Sequence, residues 1–125
     1  MDAHTRALIA ASAYTVIIGQ KVAGLYDHAA GQQLRIATEL RGNVLQVADG
    51  ERSVMFGGTL PELYDEANKA FVSLEVDGTR AHGYDRGAQG HYVADVTDRL
   101  IQLFDYSQDA WFAYEVLAFE DGAPI

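Results

Sequence analysis

The chain contains no cysteine in 125 residues, which excludes a disulfide framework, a thiolate metal site and a cysteine nucleophile. That absence fits a reducing compartment, so the expected location is cytoplasmic. Basic residues are scarce: nine Lys and Arg stand against eighteen Asp and Glu, a formal charge of −9. Nucleic-acid backbones are bound by basic faces that release counterions, so nucleic acid is not an expected partner. No run of about eighteen uninterrupted apolar residues occurs, which leaves no helical membrane span. The opening MDAHTRALIAASAYTVIIG has too little positive charge and too short an apolar region for a secretory signal.

What is present is a chain that is 49% apolar, enough for one domain over residues 1–125 with a substantial core. Its clearest stretch is RLIQLFDYSQDAWFAYEV, residues 99–116: an apolar run ending in an aromatic, an aspartate, four polar residues, then a second aromatic-rich run. That is the signature of a β-hairpin. Aligning on the aspartate finds four looser copies, AGLYDHAAGQQLRIA, LQVADGERSVMFG, PELYDEANKAFVSLEV and AHGYDRGAQGHYVAD. The five aspartates, Asp27, Asp49, Asp65, Asp85 and Asp105, are 22, 16, 20 and 20 residues apart, about the length of two short strands and their turns.

Ahead of the repeats, Ala3 to Ala13 is alanine-rich with no glycine or proline, so residues 1–13 are read as an N-terminal helix. Thr15 to Ile18 is β-branched and reads as extended, although the helix can also run on to about Ile18. Residues 14–118 then form a meander of about ten strands, with turns at Asp27–Gln32, Gly42-Asn43, Asp49–Arg52, Gly57–Pro61, Asp65–Lys69, Asp77-Gly78, Asp85–Gly90, Thr97-Asp98 and Asp105–Asp109. Asp77-Gly78 suits a type I′ turn. LPELYDEANKAF also fits a helix begun by Thr59 and Pro61, but the repeat favours a hairpin there.

Alternation along these strands places Leu25, Ile36, Val47, Leu74, Ile101, Leu103, Phe112 and Tyr114 on one face, with small residues Ala23, Ala81, Gly83 and Ala94 among them. A long antiparallel sheet with one apolar face covers it by closing or flattening into a barrel. The expected fold is therefore all-β, an up-and-down antiparallel barrel with a short N-terminal helix. In architecture alone this resembles the intracellular lipid-binding proteins; none of that family's motifs occurs, so no residue role is carried over. Glu39, Glu62, Glu75, Asp95 and Glu115 fall on the outer face, which is prohibitive for a barrel that spans lipid.

Ten strands enclose more room than side chains from the strands fill, so the interior is expected to hold the apolar helix, a flattened second layer or an apolar small molecule. In the last case those eight inward residues line the ligand site. The five aspartates gather at one rim, where each is expected to cap its own turn; a cation site there lacks any known loop spacing. Just before them come Tyr26, Tyr64, Tyr84 and Phe104, with Trp111 and Phe71 across the turns, an aromatic rim suited to self-association or to a protein partner. His82, Asp85 and His91 flank one loop, but alternation turns His82 outward, so no catalytic or metal-ligating residue is assigned and no cofactor is expected. Two functions follow: a non-enzymatic barrel holding an apolar or amphipathic small molecule, or an interaction module assembling through its rim, with homo-oligomers the usual outcome.

Overall fold

The computed structural model describes residues 1–117. It is a closed antiparallel barrel wrapped around one helix. Helix α1 spans Ala3–Ile18. Asp2 caps its start by accepting a hydrogen bond from the Thr5 N–H at 2.7 Å, and Gly19, at φ 84°, ends it in the left-handed conformation with its N–H bonded to the Thr15 carbonyl.

The helix therefore runs through Thr15–Ile18, where a strand was expected. The helical cost of a β-branched residue is only a few tenths of a kcal/mol up to about 0.7, and burial of Thr15 with the packing of Val16 and Ile17 against the core overrides it here, while Ile18 stays exposed before the Gly19 cap. Every residue from 7 to 15 is buried, so α1 has no polar side to present to water. A helix that is apolar all round belongs in an interior, and its alanines 7, 10, 11 and 13 keep it slim enough to be enclosed.

Eleven strands follow: β1 Ala23–Asp27, β2 Gln32–Arg41, β3 Val44–Asp49, β4 Val54–Thr59, β5 Glu62–Asp65, β6 Ala70–Ser73, β7 Glu75–Asp77, β8 Arg80–Asp85, β9 Gly90–Thr97, β10 Leu100–Asp105 and β11 Ala110–Val116. Apart from β6 and β7, neighbours in sequence pair in space, β1 also pairs with β11, and β6 meets β8 to complete a ten-stranded ring. Val72 faces Asp85 and Glu75 faces His82, so β7 continues β6 along β8 in one register, with a break in the ladder at Leu74. The stretch 60–71 is a hairpin, not a helix.

The repeat is exact in backbone terms. Each of Asp27, Asp49, Asp65, Asp85 and Asp105 ends a strand and faces the residue five positions on, across a four-residue loop. The fourth residue after each aspartate, Gly31, Ser53, Lys69, Gln89 or Asp109, has φ between 53° and 67°. At the opposite end the turns at Gly42-Asn43 and Gly78-Thr79 hold two residues each, with positive φ at the glycine alone. The second turn is therefore shifted one residue from Asp77-Gly78, and it has the II′ pattern, not I′. Ala23, expected inside, is exposed because the register shifts between Ala23 and Leu25, a bulge that turns it outward.

Candidate functional site

Inside the barrel, Leu25, Ile36, Val47, Leu74, Ile101, Leu103 and Tyr114 are buried as alternation requires. Phe112 is half-buried, and the Arg6 guanidinium lies over its ring, 3.8 Å from the centroid. These residues form a single cluster with Leu8, Ile9 and the alanines of α1. The occupant of the barrel axis is the protein's own helix.

The five aspartates converge on the start of that helix. Each uses Oδ1 to cap its turn: Asp27 accepts from the N–H groups of Ala29 and Ala30, Asp49 from Glu51 and Arg52, Asp65 from Ala67 and Asn68, Asp85 from Gly87 and Ala88, and Asp105 from Ser107. These caps explain why the residue is aspartate in every copy. The other oxygens of three of them reach the first turn of α1 or its neighbours. Asp65 Oδ2 accepts from the Thr5 hydroxyl and the Asn68 amide, both at 3.0 Å. Asp105 Oδ2 lies 3.3 Å from Arg6 and 3.4 Å from the Met1 amine. Asp49 Oδ2 pairs with Arg52 at 2.8 Å and His4 at 3.5 Å. Acidic groups here also suit the partial positive charge of a helix N-terminus.

Asp85 differs from these three. Its Oδ2 is buried with no hydrogen-bond partner. Burial, reinforced by the Asp65 carboxylate, pushes its pKa above the ordinary 3.8, although hydrogen bonds from Ala88 and Gly87 oppose the rise. Burial acts the same way on Asp105, but the Ser107 hydrogen bonds and the charge of the Met1 amine outweigh it and hold Asp105 below that value. Tyr114 is raised to about 12, mainly by burial and then by the nearby Asp27 charge. Among the described residues no group of three or more His, Asp or Glu is placed to hold a metal ion.

Outside, the aromatic rim is a nearly continuous collar. The residue before each aspartate faces the residue six beyond it: Tyr26 with Gln33, Ala48 with Met55, Tyr64 with Phe71, Tyr84 with His91 and Phe104 with Trp111. Eight of those ten positions, all but Gln33 and Ala48, carry an aromatic ring or methionine. The Tyr64–Phe71, Tyr84–His91 and Phe104–Trp111 ring centroids are 5.1, 4.7 and 5.2 Å apart, ordinary edge or tilted aromatic contacts. Trp111 is 55% exposed, Met55 48% and Phe71 44%. Pairing therefore covers the rings only in part. Met55 and the partners of the tyrosines follow from the repeat, but the collar's extent needs the register.

His82, Asp85 and His91 do not form one site, because the histidines face out and Asp85 faces in. The histidines border a different feature. Where the ladder breaks at Leu74, the Tyr84 N–H bonds the Ser73 hydroxyl at 2.9 Å, and the hydroxyl of Tyr92, a side chain from the interior, donates to the Ser73 carbonyl at 2.7 Å. Only glycine fits at position 83, since a Cβ there would lie 1.8 Å from the Ser73 carbonyl oxygen. The break leaves an open cleft of about 520 Å³ in the barrel wall, with Tyr92 at its floor and Glu75, His82, Tyr84, His91 and Tyr106 around it.

No helix among the described residues is long and apolar enough to cross a membrane. Compared with protein-family models, curated proteins and solved structures, the chain matches none.

Proposed function

We propose that the chain is a non-enzymatic interaction module that assembles with a second copy of itself through the aromatic collar. One observation carries this reading: an aromatic ring or methionine occupies eight of the ten collar positions, and four of the large ones, Met55, Tyr64, Phe71 and Trp111, are 40–55% exposed. None of those eight residues is a formal anion or cation at neutral pH apart from a protonated histidine, so a second collar meets little charge repulsion despite the net −9. Aromatic residues and methionine are the types that interfaces favour.

Light scattering over a concentration series tests the proposal. The wild-type chain is expected to gain mass with concentration, and the Tyr84→Ala, Phe104→Ala double variant to stay monomeric. A wild-type chain that is monomeric throughout refutes self-association. The other reading, an apolar small molecule within the lining of Leu25, Ile36 and Val47, requires α1 to vacate the axis. Mass spectrometry of the purified chain that finds a stoichiometric apolar ligand would favour it over the collar.

A further inference from the structure

We propose that the cleft at the β6–β8 seam binds a small organic cation, an ammonium or guanidinium group on an apolar stem. Glu75 is the one carboxylate among the cleft-lining residues, and it has no ion-pair partner among the described residues. The arginines of this region are already matched, Arg80 by both oxygens of Asp95 at 2.7 and 3.0 Å and Arg86 by Glu62 at 3.9 Å. An anion entering the cleft would meet Glu75 with no fixed cation to offset it; a cation would be drawn in, as it would be by a chain of net charge −9.

The remaining walls suit the same ligand. Tyr84, Tyr106 and His91 bring aromatic rings to the opening, and a ring face attracts a cation through its quadrupole. At the floor, the Tyr92 hydroxyl spends its proton on the Ser73 carbonyl, so its oxygen offers lone pairs to a donor and no proton to an acceptor. The volume of about 520 Å³ lies in the range of small-molecule clefts. The cleft shares Tyr84 and His91 with the collar, but its ligand does not depend on self-association.

Choline is the probe, titrated into the full chain and followed by the backbone amide NMR signals. Saturable shifts are expected on β7, β8 and β9 and at Tyr106. The uncharged analogue with carbon in place of the nitrogen should bind at least about fivefold more weakly, and Glu75→Gln, an exposed substitution, should weaken choline by a similar factor. Equal binding of the uncharged analogue, an unchanged Glu75→Gln affinity, or no saturable shift overturns the proposal. Trp111→Ala, in the collar but outside the cleft, should bind choline as wild type, so loss of assembly and loss of cation binding are read separately. A parallel titration with a lysine-containing tripeptide identifies the source: tighter binding of the peptide points to a protein side chain, tighter binding of choline to a free small-molecule ammonium.

Discussion

Asp65 and Asp85 occupy equivalent places in neighbouring hairpins, yet the same substitution should move stability in opposite directions. Asparagine keeps the shape and one oxygen, so the Oδ1 cap to the turn survives at either site. At 65 the new NH2 group points at two donors, the Thr5 hydroxyl and the Asn68 amide. Loss of two hydrogen bonds to a charged acceptor, softened where the Thr5 hydroxyl turns round to accept, should cost about 2–4 kcal/mol. At 85 the NH2 group replaces an oxygen that has no partner. Removing a buried, unpaired charge there should gain about 1 kcal/mol, the neutral amide being cheaper to bury than the carboxylate.

With roughly 4 °C of melting temperature per kcal/mol for a chain of this size, Asp65→Asn should melt about 8–16 °C below wild type and Asp85→Asn about 4 °C above it at pH 7. The sign for Asp85 also fixes its pH dependence. A carboxyl whose pKa rises above 3.8 on folding binds its proton more tightly in the folded chain, so it costs stability at neutral pH. That cost fades as pH falls through the raised value and is gone below 3.8, where the variant's advantage from charge should vanish. Thermal unfolding followed by circular dichroism at several pH values measures all of this. If Asp85→Asn is destabilised at pH 7 to the same extent as Asp65→Asn, the reasoning from the unpaired oxygen is wrong.

Asp105→Asn should show the mirror-image pH profile: destabilised at neutral pH, with the difference from wild type disappearing as pH falls through the depressed pKa of Asp105, read by the same melts. Gly83→Ala should cost more than ~3 kcal/mol or abolish folding, because the clash at 1.8 Å is with backbone; soluble yield and urea unfolding measure it. Ala10→Leu, on the fully enclosed part of α1, should lose about 1–3 kcal/mol from overpacking, and an unchanged urea midpoint would mean that the barrel has spare room. Lys69→Gly and Gln89→Gly should each gain up to ~1 kcal/mol by relieving the left-handed backbone, whereas Gly31→Ala should lose a similar amount.

The hairpins were legible in the sequence because their cause is local. An aspartate that must accept hydrogen bonds from its own loop, between strands of alternating polarity, leaves its mark within some twelve residues. The inward face was legible for the same reason, apart from Ala23, where a bulge reversed the parity. The helix end was not, since Thr15–Ile18 has strand propensity and is held helical by the packing of Thr15, Val16 and Ile17 in the barrel and by the Gly19 cap. Ala7–Ala13 did contain the decisive hint: a segment with no polar side is one that will be enclosed. The cleft was hidden because FVSLEV reads as one unbroken strand, and its interruption at Leu74 depends on how β6 crosses to β8 to close the ring. Which aspartate would be left without a second partner depended likewise on where the first turn of α1 came to rest.

Enclosure of α1 by strands that all come later in the chain also dictates how the molecule can be assembled. The helix precedes every residue of its sheath, and β11, which joins β10 to β1, is the final staple of the cylinder. Half a sheath leaves a greasy rod open to water on its bare side, so intermediates made of the first few hairpins have little to gain by stopping. Folding of such a chain is expected to be slow and all-or-none, governed by contacts between distant parts of the sequence, and cutting the polypeptide ahead of Ala110 should release the whole structure and not merely its last strand.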